Sequence, residues 1–243
     1  MPAPRRPELD ADTLAGRIRD HGRETRLFLS SVLVSVAVAN AAYVFALLLG
    51  SGITPILWLP FMLASFGFVL ITFSGTSHTS LLVVSLPDWR DGVLPLLQAM
   101  AVFLMFSTLI PAHATMPLLI DWYAVVAAHA IIGGFWIRSL VAKINNTRYE
   151  PALRDAVEGH LQSMRRSAIA TVLSGGSWLV VWLTIRLWVV REHPVFLRFQ
   201  GILGMVALMI SIVVLAIIER DRRSFAALVS DARAAHLPPG RQA

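Results

Sequence analysis

The chain has 243 residues, of which 56% are hydrophobic and 15% charged, and its mean hydropathy is +0.66. Soluble domains carry about a quarter charged residues, so this composition excludes an ordinary water-soluble globule and points to lipid as the solvent. The formal charge of +6 comes from 20 arginines and Lys143 set beside apolar stretches, where basic residues orient a membrane protein and are no sign of nucleic-acid binding.

Residues 1–26 read as a basic N-terminal segment. Six apolar stretches follow, at 27–50, 54–74, 93–112, 117–137, 168–190 and 199–218. Each approaches the roughly 20 residues that a helix needs to cross a bilayer core. The expected fold is therefore an all-α integral membrane protein, a six-transmembrane-helix bundle over 27–218. The first stretch, followed by Ala39-Asn40-Ala41, resembles a signal peptide. Its apolar run continues through Tyr43 to Leu47, so it is read as a retained span. Thr54 before Pro55 reads as a helix start, Pro60 as a kink in the second span, and Pro111 and Pro117 as the bracket of a turn.

Eighteen basic residues fall in the N-terminal segment, the loop before span three, the loop after span four and the C-terminal tail. Against them stand Arg191 and Arg198 in the opposite turns, with Arg186 inside a span. The positive-inside rule then puts both termini in the cytoplasm and the protein in the plasma (inner) membrane. The outer turns, 51–53, 113–116 and 191–198, are short.

Two amphipathic cytoplasmic helices are expected. Residues 151–166 place Leu153, Val157, His160, Leu161 and Met164 on one stripe. It suits a helix lying along the membrane surface or packing under the bundle, or a docking helix for a partner. The basic tail 219–243 places Phe225, Leu228 and Val229 beside arginines. Arg154, His160, Arg165, Arg166, Arg222 and Arg223 are the candidate contacts to a partner or to anionic headgroups. Segment 75–90 reads as re-entrant or interfacial.

Ionisable and polar residues inside spans are functional candidates because burying them is costly. Asp121 and Arg186 lie at equal depth near the outer ends of spans four and five, which predicts an ion pair that pins two helices or acts as a gate. His129 and Asn40 lie near mid-membrane; His129 is read either as interhelical glue or as a proton carrier. Gln98 and His113 are expected to reach water from the ends of span three. Trp58, Trp122 and Trp188 read as an outer aromatic belt, Trp89 and Trp136 as an inner one. Small residues (Ser31, Ser35 and Ala39; Gly133 and Gly134; Ser167, Thr171 and Gly175; Gly201, Gly204, Ala207 and Ser211) read as packing faces.

No catalytic, metal-binding or cofactor motif stands out: zinc-protease, phosphate-loop and intramembrane serine-protease patterns are all missing. The expected function is a non-enzymatic interaction or assembly component of a membrane complex. Its partners would be the lipid bilayer with anionic headgroups and another membrane protein or a second copy, with no nucleic acid. The alternative is a small channel or proton-coupled transporter using Asp121, His129 and Arg186.

Overall fold

The computed structural model describes residues 8–10, 12–14, 16, 35–79, 89–110, 119–146, 148–149, 151–188 and 194–236, and these are almost entirely helical. The helices are α1 (Ser35–Gly50), α2 (Leu59–Thr79), α3 (Trp89–Ser107), α4 (Leu119–Asn145), α5 (Pro151–Trp188) and α6 (Pro194–His236). Four stretches are long and apolar enough to cross a membrane: Leu57–Ser74, Ile120–Asn145, Leu153–Leu187 and Phe199–Asp231. They correspond to the second, fourth, fifth and sixth expected spans. Within α1 and α3 the apolar stretches Ser35–Gly50 and Leu96–Ser107 are shorter. Residues 27–34, the segment 80–88, Pro111, His113, Pro117, the turn 113–116 and Arg191 lie outside the described residues, as do the side chains of Trp89, Trp188 and Arg198.

Local chemistry explains the connection from α1 to α2. Gly52 takes a positive φ of 70°, a conformation glycine reaches without a steric penalty. Pro55–Leu57 then forms a 3-10 turn. Pro60 falls in the first turn of α2, near the start of the apolar stretch Leu57–Ser74 and not in mid-helix. A missing N–H costs nothing there, so the proline starts the helix instead of kinking it.

A larger departure from expectation is that two helices run straight through the predicted boundaries. The 38 residues of α5 join segment 151–166 to span five, and the 43 of α6 join span six to the tail. Nothing at Arg165-Arg166-Ser167 or Glu219-Arg220-Asp221 breaks a helix. At 1.5 Å per residue these helices measure about 57 and 65 Å, far more than a bilayer core of about 30 Å. The helix at 151–166 is thus no separate surface helix, but a rigid extension of α5.

Two apolar cores result. The first lies among α1 to α6 and includes Phe61, Phe68, Phe106, Trp122, Tyr123 and Trp178. Helices approach closely at glycines. A Cβ on Gly134 would meet the Ala168 carbonyl of α5 at 3.0 Å, one on Gly175 the Ala127 carbonyl of α4 at 2.9 Å, and one on Gly204 of α6 the Phe61 ring of α2 at 2.8 Å. Of the α6 stripe, Gly204, Ala207 and Ser211 are buried and Gly201 is half-buried. Ser35 and Ala39 face outward instead, and α1 packs through Ala37, Ala41, Val44 and Leu48.

The second core lies at the end where α4 turns into α5. It gathers Leu140, Val141 and Ile144 of α4, Leu153, Val157, Leu161 and Met164 of α5, and Phe225 and Val229 of α6. Leu14, from the N-terminal segment, is fully buried in it. Glu8–Leu9 (β1) pairs in parallel with Arg148–Tyr149 (β2), which brings that segment to the same place. Asp10 accepts a 2.6 Å hydrogen bond from the Thr13 N–H, which holds its carboxyl below the usual carboxylate range. The described part of the basic N-terminal segment is therefore docked.

Candidate functional site

At the Gly52 end of the bundle, α4 and α5 set Arg186 Nη1 3.6 Å from Asp121 Oδ1, with both side chains more than half exposed. The Arg186 guanidinium also lies 5.4 Å from the centre of the Trp182 ring. The expected partners meet, but at the rim, where solvent screens the attraction.

Asn40 does not reach His129. Its amide donates to the Phe103 carbonyl at 3.0 Å and to Ser107 Oγ at 3.4 Å, tying α1 to α3.

His129 sits in the middle of α4, 5% exposed. Its Nε2 lies 3.1 Å from Thr72 Oγ1 of α2. The Thr72 hydroxyl also donates to the Phe68 carbonyl at 2.9 Å, and the direction of its contact with the imidazole follows the ring tautomer. Nδ1 has no hydrogen-bond partner among the described residues, and neither does Oε1 of Gln98. The main chain of Gln98 lies beside the imidazole. Its side-chain amide rests where a Cβ of Gly133, one turn beyond His129, would sit, at 2.6 Å.

Three helices thus bring Thr72, Gln98 and His129 to one interior point. Gln98 is buried, against the expectation that it reaches water, because α3 begins at Trp89 and carries Gln98 two turns further in. Thr72 was not singled out from the sequence. Its position on α2 opposite His129 depends on helix rotation, which depth along the chain does not reveal.

Toward the Gly52 end the same interior is aromatic. Trp122 donates to Ser65 Oγ at 2.9 Å, and Ser65 donates to the Phe61 carbonyl at 2.8 Å. Tyr123 stacks on Trp178 with ring centres 5.8 Å apart. Trp58 and Trp122 are buried core residues and not members of an outer belt. Trp136 is partly buried and packs against the second core.

The candidate contacts at the other end separate by environment. His160 is buried, its ring centre 4.7 Å from that of Phe225. Beside it Ser163 donates to Asp221 at 2.6 Å, joining α5 to α6. Arg222 and Arg223 both bind Glu219 at 2.9 Å. Arg165 donates to Asn145 Oδ1 at 3.1 Å. Arg154 and Arg166 are exposed. The stripe Leu153, Val157, Leu161 and Met164 is consumed by the chain's own second core, which removes it as a docking face.

Among the described residues no group of three or more His, Asp or Glu could hold a metal ion. No family model, curated protein or solved structure matches this chain.

Proposed function

We propose that the chain is a non-enzymatic polytopic protein of the inner membrane, with six spans and both termini cytoplasmic, and that it serves as an assembly component of a membrane complex. The charge asymmetry of the sequence supports the orientation, and the four long apolar helices support the membrane placement. On this reading the second core lies in the cytoplasm.

One observation carries the assembly role. The Phe199–Asp231 stretch of α6 has the highest mean hydropathy of the four, 2.9, yet only 17% of its most apolar window is buried. One flank of α6 is taken by α2 through Gly204, Ala207 and Ser211. On its free side lies an apolar groove of about 810 Å³, lined by Gly201, Ile202, Met205, Met209 and Val213 among others. Methionine adapts its shape to a partner, and a glycine on the lining lets a helix come close. Photo-cross-linking amino acids at Met205 and Met209 should capture a defined membrane protein in intact cells, and the same probe at exposed Leu173 should not. Adducts with lipid alone at all three positions would defeat the assembly role.

The Thr72–Gln98–His129 cluster favours a second reading, that of proton-coupled transport. A buried imidazole set among polar groups of three helices offers a seat for one proton. His129→Gln should then abolish proton movement by a folded protein in dye-loaded vesicles. Wild-type protein that moves no protons or ions under any gradient sinks this reading.

A further inference from the structure

We propose that the seam between α4 and α5 holds a seat for one anionic phospholipid, its phosphate bound by Arg138 and Arg165 and its acyl chain lying along Phe135 and Ile169. The inference rests on the membrane placement above and is independent of the assembly role.

The seam is fixed by the close approach of Gly134 to Ala168. Arg138 follows Gly134 by four residues, and Arg165 precedes Ala168 by three. Each stem therefore leaves its helix within about 60° of the contact line and about 5 Å nearer the Asn145 end. Their Cα positions lie at similar depth on one flank of the seam, and the Arg165 head group extends toward Asn145; the other flank is occupied. Gly133 meets Gln98 of α3 and Thr171 of α5 there, and Ser163 and His160 meet α6. Both arginines are exposed.

Charge selects the occupant. The only carboxylate of α4 is Asp121, at its opposite end, and α5 has none after Glu158. Arg165 has an amide partner in Asn145, which orients its guanidinium and leaves its charge unneutralised. Arg138 takes part in none of the hydrogen bonds or ion pairs found among the described residues. Two guanidinium groups on one flank of the seam, neither met by a carboxylate among the described residues, suit a phosphodiester.

Immediately toward the apolar side, Phe135 is 54% and Ile169 63% exposed. They follow Gly134 and Ala168 by one residue each, so they lie on the same flank as the arginines. Headgroup and chain are thus served by adjacent surfaces. Arg222 and Arg223 differ, since both are paired with Glu219, and Arg166 leaves α5 nearly opposite the seam.

The test uses the full chain in nanodiscs of zwitterionic phosphatidylcholine titrated with phosphatidylglycerol, with native mass spectrometry counting retained lipids. Wild type should retain one phosphatidylglycerol in preference to phosphatidylcholine. Arg138→Gln with Arg165→Gln should weaken that retention about tenfold or more. Arg154→Gln with Arg166→Gln removes equal charge elsewhere and should leave retention unchanged. If the first double variant fails to fold, a photoactivatable phosphatidylglycerol on wild type decides, with adducts expected at 135–138 and 165–172. Equal loss in both double variants, or adducts spread over α6, would overturn the seat in favour of diffuse attraction. Displacement of the lipid by inorganic phosphate alone would overturn the lipid assignment. A chain that does not enter nanodiscs at all would instead defeat the membrane placement.

Discussion

Ser65 shows how single polar atoms hold this interior together. It accepts from the Trp122 N–H and donates to the Phe61 carbonyl, and both Ser65 and Trp122 are fully buried. Ser65→Ala leaves the indole N–H without its partner and should cost about 1–3 kcal/mol, measured as loss of thermal stability in detergent. Ser65→Thr, which keeps the hydroxyl, should cost less. Gly134 works through absence. Gly134→Ala puts a methyl against Val172 and the Ala168 carbonyl, a backbone contact that cannot move aside. Overpacking of this kind costs about 1–3 kcal/mol. Unaltered detergent melting of the alanine variant would mean that α4 and α5 do not meet there. Asp121 and Arg186 contrast with both. With more than half of each side chain exposed, Asp121→Asn or Arg186→Gln should shift stability by about 0–1 kcal/mol. A much larger loss would indicate a pair shielded from water.

At the scale of elements, the decisive feature is the joint overhang of α5 and α6. Neither overhanging piece would bury its apolar stripe alone. Together with the end of α4 they enclose Leu153, Val157, Phe225 and Val229, and Leu14 closes the cluster. Leu14→Ala should cost about 2–5 kcal/mol in local packing. The expected readout is faster tryptic release of the N-terminal segment with helical content retained. Cleavage at the wild-type rate would show that the segment is not docked on this core. Gln200 is fully buried in α6 with neither amide atom hydrogen-bonded among the described residues.

At the scale of the whole molecule, the proposed orientation predicts a labelling pattern. Arg154→Cys should react only after the membrane is permeabilised, and Gly52→Cys should react in intact cells. Labelling of Arg154→Cys from outside would reverse the orientation. Much of the fold was legible before any coordinates. Helix formation and membrane affinity follow from the length and apolarity of 54–74, 117–137, 168–190 and 199–218, because hydropathy is a property of each segment by itself. The Asp121–Arg186 approach was legible for the same reason, since counting residues measures depth. What counting does not measure is rotation about each helix axis and the partner across it. For that reason Asn40, close in depth to His129, binds α3 instead, Trp122 lies in the core and not in an outer belt, and Thr72 and Gln98 come to His129 only in three dimensions. The continuity of α5 and α6 likewise belongs to tertiary structure. An amphipathic run beside an apolar one reads the same whether it lies on a membrane or projects from it, and the second core supplies the buried area that packs the overhanging ends together.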